Sequence, residues 1–161
     1  MSTHNGDVPS PHAWLVRAGR TGEWDNFALD NDVAVVGFYE VGDLSRATTR
    51  EQVAEMVRAA MPPTDQEGRL NNFTGQLWAL RSRIQVGDLV VLPLKTTSQI
   101  AIGRVTGGYT YRQDNNQNVR LHVIPVHWVR TDVPRTAVHQ DLLYWLYANE
   151  WGIRLLIAGG R

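Results

Sequence analysis

Two apolar runs dominate the middle of the chain. Leu89 to Leu94 is an unbroken apolar stretch of strand length, rich in β-branched residues. Lys95 to Gln99 is a polar turn, and Ile100 to Val105 is a second apolar stretch. Short apolar runs bounded by turn residues fit strands buried on both faces, as in a small closed barrel. The spacing therefore predicts a hairpin within Ile84 to Tyr111, entered by Val86-Gly87-Asp88 and left at Gly107-Gly108. Tyr109 and Tyr111 follow two residues apart, which places them on one face of an extended segment.

Further strands are predicted at His12 to Arg17, Val33 to Tyr39 and Val119 to Trp128. Pro125 marks the last of these as an edge or a bulge. Polar loops are expected at Arg17 to Trp24, Gly42 to Ser45, Thr64 to Leu70 and Arg112 to Asn118, with a turn at Thr131 to Arg135. The pattern changes to helical spacing in two places. Thr49 with Gln52 three residues on is a capping-box pair, followed by Val53, Met56, Val57 and Ala60 and stopped by Pro62-Pro63. Asn72 to Arg83 forms a second helix, with Phe73, Leu77, Leu80 and Ile84 on one face and Trp78 one position off it. His139 to Tyr147 predicts a short amphipathic helix.

Together these elements give an α+β fold, most simply a small, mostly antiparallel β-barrel flanked by helices. Residues 1–12 read as a disordered lead-in, 13–150 as one domain, and 151–161 as a tail or the start of a linker. A chain of 161 residues is long enough for a single core, and no apolar run approaches a membrane span. Cysteine is absent, which excludes disulfides, thiolate zinc sites and a cysteine nucleophile. This suits a cytoplasmic protein.

Net charge is zero but unevenly divided. Residues 1–80 hold 6 Arg against 11 acids, and residues 81–161 hold 10 Lys plus Arg against 5 acids. A basic half points to an anionic partner. Catalytic signatures are missing: there is no phosphate-binding Gly-rich loop, no dinucleotide fingerprint and no Gly-x-Ser-x-Gly. His122 and His127 are five apart in a strand and face opposite ways, so no metal site is expected. Lys95, the one lysine, has no acid two residues before it. The chain is therefore expected to bind without catalysing and to carry no cofactor.

The positive signal is aromatic, amide and guanidinium side chains around predicted strand ends. Phe38, Tyr39, Trp24, Tyr109, Tyr111 and Trp78 are candidate stacking rings. Asn72 and Gln76 offer amides able to read a base edge. Arg17, Arg20, Arg81, Arg104 and Arg112 are candidates for holding phosphates. The bland reading of the same residues is core aromatics and solvated arginines.

A series of blocks carries a resemblance: WLVRAGRTGEWDNFAL, VVGFYEVGDLS, NNFTGQLWALR, VGDLVVLPLKTTSQIAIGRVTGGYTYR and HWVRTDVPRTAVHQDLLYWL. In this order and spacing they resemble the N-terminal domain found ahead of Mrr-like restriction endonuclease domains, over about residues 13–146. That domain is similar to the PUA-like superfamily, which includes EVE and YTH domains. The resemblance implies a small β-barrel that flips a modified base into an aromatic cage. Phe38-Tyr39 match the place of one cage aromatic, and Tyr109 to Arg112 match the region of others.

The expected function is therefore the reader part of a modification-dependent restriction system. It would bind DNA carrying 5-methylcytosine, 5-hydroxymethylcytosine or methylated adenine, with a nuclease domain on the same chain or on a partner. An RNA-binding module of the same fold, or a small-ligand sensor with the same pocket, is the alternative.

Overall fold

The computed structural model of the chain describes residues 12–19, 21–38, 40–63, 66–114 and 119–138. Residues 1–11, the helix expected at His139 to Tyr147 and the tail at 151–161 lie outside the described residues. Among the described residues there are six strands: β1 (Ala13–Leu15), β2 (Val33–Val36), β3 (Leu89–Pro93), β4 (Gln99–Val105), β5 (Thr110–Asp114) and β6 (Val119–Pro134). The helices are α1 (Asp25–Asp30), α2 (Arg50–Ala60), α3 (Glu67–Trp78) and α4 (Arg135–Val138). A π-helical turn, Ala79–Arg83, continues α3.

The fold is α+β, as the sequence pattern requires. Its strands form one mixed sheet in the order β1-β3-β4-β6-β2, with β5 also paired to β6. Only β1 and β3 run parallel; the other pairs are antiparallel. The sheet is open among the described residues, so the expected closed barrel is not what these strands form. The central hairpin is present, with Val91 opposite Ile102.

Both faces of the sheet are covered, which is why its strands read as unbroken apolar runs. All four residues of β2 are buried. Ala34 and Val36 join a core with Val53 and Val57 of α2 and Phe73 and Leu77 of α3. Val33 and Val35 join a second core with Trp24 and Ala28 at α1. The capping box at α2 forms as expected: Gln52 N–H donates to Thr49 Oγ1 and Thr49 N–H to Gln52 Oε1, both at 3.2 Å.

Four boundaries differ most from the sequence expectation. β2 ends at Val36 rather than Tyr39, because Phe38 turns left-handed (φ 68°). α3 begins at Glu67, inside the expected polar connector, because burial of Leu70 extends the apolar stripe one turn back. β5 runs on to Asp114, where the sequence suggests a loop, since β6 supplies ladder partners as far as Asp114↔Val119. β6 continues through the expected turn at Thr131 to Pro134, where β4 pairs Ile100 with Val133. Extra β6 residues there are absorbed as register shifts between Ile100 and Gly103.

Pro125 is neither on an outer strand nor at a register shift. It stands where β6 passes from β5 to β4 along one edge, and its carbonyl accepts from Thr106 N–H (3.0 Å). In a strand the N–H and C=O of one residue point to the same edge, so the missing N–H falls in the gap between β4 and β5. Gly107 fills that gap, and an added Cβ would lie 3.1 Å from the Pro125 ring.

Asp88 ties the first strand to the hairpin. It is buried, and its carboxylate accepts from His12 N–H (3.0 Å), Trp14 Nε1–H (2.9 Å) and Gln85 N–H (2.9 Å). Removing the acceptor leaves buried donors unpaired, at about 1–3 kcal/mol each. Asp88→Ala is expected to lower stability by at least about 2 kcal/mol in urea denaturation, and Asp88→Asn, which keeps one oxygen, by less.

Candidate functional site

The residues singled out in the sequence fall into two groups around the sheet. The first group surrounds the segment that links β2 to α2. Phe38 opens this segment in the left-handed region, which is sterically costly for an aromatic residue. It is only 3 % exposed, and its ring lies 4.8 Å from that of Phe73 on α3. The Arg69 guanidinium stands over Phe73 at 5.2 Å. One turn further along α3, buried Gln76 donates through Nε2 to Oδ1 of exposed Asn72 (3.3 Å). Trp78 is half-buried against the same core.

Tyr109, Tyr111 and His122 complete this group. His122 is fully buried on β6, opposite Val36 on one side and Tyr111 on the other. Its Nε2 is 3.0 Å from the Val41 carbonyl, and its Nδ1 is 2.7 Å from Tyr109 Oη. A carbonyl only accepts, so Nε2 carries the proton and Nδ1 accepts from the Tyr109 hydroxyl. Tyr109 Oη in turn accepts from Leu44 N–H (3.1 Å). The Tyr109 and Tyr111 rings flank the imidazole at 5.8 and 5.2 Å, on one face as their spacing requires.

Burial sets the proton states of this chain of bonds. It pushes the His122 imidazole below its ordinary value, against the pull of the Val41 and Phe38 carbonyls and of Asp43. It also pushes the Tyr109 phenol well above its ordinary value, against the Leu44 N–H. A neutral imidazole and a protonated phenol are the states in which every bond above is made.

Arg81 grips the same segment from the π turn. Nε–H donates to Leu44 O (2.9 Å) and Nη2–H to Ser45 O (3.0 Å). Both donors therefore act within the chain, where the sequence suggested a phosphate contact.

The second group lies around α1. Trp24 is buried edge-on to Phe27 (5.8 Å) in the core beneath α1. Arg112 stands over Phe27 at 5.1 Å and donates to Asn31 Oδ1 (2.8 Å). Its neighbour Tyr111 faces the other side of β5, so these two do not share a site. Arg104 donates to Gly87 O (2.9 Å) beside the hairpin, and Arg17 is exposed after β1. Arg81, Arg104 and Arg112 thus dock at three separate places. Tyr39 and Arg20 lie outside the described residues. Among the described residues no cluster of three or more His, Asp or Glu is placed to hold a metal ion, and no helix is long and apolar enough to cross a membrane.

Sequence reasoning weighed His122 only as a metal ligand. The signal that singles it out is a lone histidine within the apolar run Leu121 to Val126, which has to bury its imidazole with both nitrogens satisfied. Tyr109→Phe keeps the ring but leaves Leu44 N–H and His122 Nδ1 unpaired. It is expected to cost about 1–3 kcal/mol in urea denaturation. Tyr111→Phe, whose contact with His122 is through the ring, is expected to stay within about 0.5 kcal/mol.

No curated protein and no solved structure matches the chain. Residues 14–141 match a domain of unknown function, DUF8426, and the chain belongs to that family.

Proposed function

We propose that this domain is a nucleic-acid-binding module of PUA-like type that reads a modified base in DNA, as the recognition part of a modification-dependent restriction system. The observation that carries this reading is Phe38, an aromatic residue held left-handed at φ 68°. Backbone strain of this kind costs on the order of 1–3 kcal/mol, persists only where surrounding contacts impose it, and clusters at ligand sites. It supports a site at the aromatic position that the sequence suggested for stacking.

The surroundings fit a flipped base. Phe38 and Phe73 provide rings, and the Gln76 and Asn72 amides stand one turn along α3, where they can bond a base edge. Arg69 brings positive charge over Phe73. Exposed Arg17 is available to phosphates, which position the duplex without reading it. Phe38 is reached when the segment after it moves aside. The modification read is 5-methylcytosine, 5-hydroxymethylcytosine or methylated adenine, and the cleavage function belongs to a nuclease domain on the same chain or on a partner.

The test is a panel of matched duplexes, plain and singly modified, measured with wild type, Phe38→Leu and Gln76→Leu after circular dichroism has established folding. Base stacking is worth ~1–3 kcal/mol, so Phe38→Leu is expected to weaken the preferred modified duplex by about 5- to 150-fold. Plain duplex is expected to change far less. Affinity for every duplex should fall steeply as salt rises, because counterions are released on binding. Tighter binding of matched RNA assigns the domain to RNA instead. Binding of neither nucleic acid, with salt-independent capture of a free modified nucleoside, assigns it to small-ligand sensing.

A further inference from the structure

We infer that His122, Tyr109 and Arg81 form a latch that holds the backbone of Val41, Leu44 and Ser45 against the core that contains Phe38 and Phe73, and that protonation of His122 releases it. The inference goes beyond base reading and concerns the chain without any ligand.

The geometry has three parts. His122 Nε2–H holds Val41 O, Tyr109 Oη holds Leu44 N–H, and Arg81 holds Leu44 O and Ser45 O. The segment is thus fixed through backbone groups at three successive points. Two of the three depend on one buried imidazole, directly or through Tyr109.

A second proton on His122 undoes this arrangement. Nδ1–H would then point at the Tyr109 hydroxyl, which at present donates to it. The phenol oxygen can accept a second bond, but its own proton would lose its acceptor inside the protein. The imidazolium would also be buried without a direct carboxylate partner among the described residues, a costly state. The groups facing it are Tyr109 just before β5, Tyr111 from β5, Asp43 from the segment itself and, next to Tyr109, Arg81 from the π turn. β2 presents Val36. Asp43 is exposed and bonded to Ser45, so it reaches the imidazolium as an ion pair only if the segment rearranges.

The direction in pH follows from the lowered proton affinity of His122. A group held neutral by folding stabilises the closed state fully above its ordinary pKa of 6.5 and loses that contribution as pH falls toward the depressed folded value. Opening is therefore expected on the acid side of 6.5.

Amide hydrogen exchange followed by NMR tests the latch in the free protein, with rates corrected for intrinsic pH dependence. Leu44 N–H is the direct reporter. Its protection is expected to fall by tenfold or more as the His122 ring titrates, while protection of Val90 and Ile124 in the core is retained. In His122→Gln, whose amide can both donate and accept without titrating, Leu44 protection is expected to be independent of pH. If that variant does not fold, Tyr109→Phe is used, in which Leu44 should be unprotected at every pH. Constant Leu44 protection through the His122 titration overturns the proposal. Loss of Leu44 and core protection together, which is global unfolding, also overturns it. No nucleic acid enters the test, so its failure and that of the base-reading proposal are separate results.

Discussion

One strand has to serve three partners. β6 hydrogen-bonds to β5 and β2 over its first half and to β4 over its second. β2 and β5 reach the rest of the sheet only through it. Such a strand cannot be regular throughout. It changes partner along one edge at Pro125, where the lack of an N–H is harmless, and absorbs extra residues opposite Ile100 to Gly103. At the most crowded point, between Val36 and Tyr111, it carries a fully buried histidine. That polar group is the constraint on everything placed above it.

A buried imidazole is tolerated only with both nitrogens bonded. A side chain on a strand projects out of the sheet, away from the in-plane ladder bonds that β2 and β5 make with β6. The Tyr109 hydroxyl and the Val41 carbonyl supply the two partners instead. This requires the chain leaving β2 to double back over His122 within five residues. The left-handed Phe38 and the Val41 N–H bond to Phe38 O (3.0 Å) make that reversal. Packing of Phe38 on Phe73 offsets part of the backbone strain.

What could be read from the sequence was whatever local pattern determines. The capped helix α2, the apolar stripe of α3, the hairpin of β3 and β4, and the shared face of Tyr109 and Tyr111 each follow from spacing or a capping pair. The ends of β5 and β6 did not, because partner strands distant in sequence override the polar and turn-forming residues there. The same holds for individual side chains. Phe38 stands out by position, but the contacts around its left-handed backbone come from His122 and Phe73, far along the chain. Arg81 has the chemistry of a phosphate ligand. Only the π turn, which redirects the end of α3, brings it to the carbonyls of Leu44 and Ser45 instead.

Departures from regular backbone distinguish the two faces of the sheet. Among the described residues two other non-glycine residues have positive φ, Asp32 and Ser98, and both stand in tight turns entering strands. Small polar residues adopt this region in such turns at little cost. Phe38 has no such excuse, and it lies next to the segment that the π turn grips; π turns are rare and concentrate at functional positions. On the opposite face, α1 lies on Trp24 with regular geometry, and Arg112 is committed to Phe27 and Asn31. Strain is thus concentrated on the face that carries α2 and α3, beside a segment held both by polar bonds and by burial of Val41 and Leu44. On that opposite face α1 is held both by apolar burial and by bonds from Trp128 Nε1–H to Ala28 O (3.0 Å) and from Arg112 to Asn31. The base-reading proposal is accordingly placed at Phe38 and Phe73 rather than at Trp24 and Arg112.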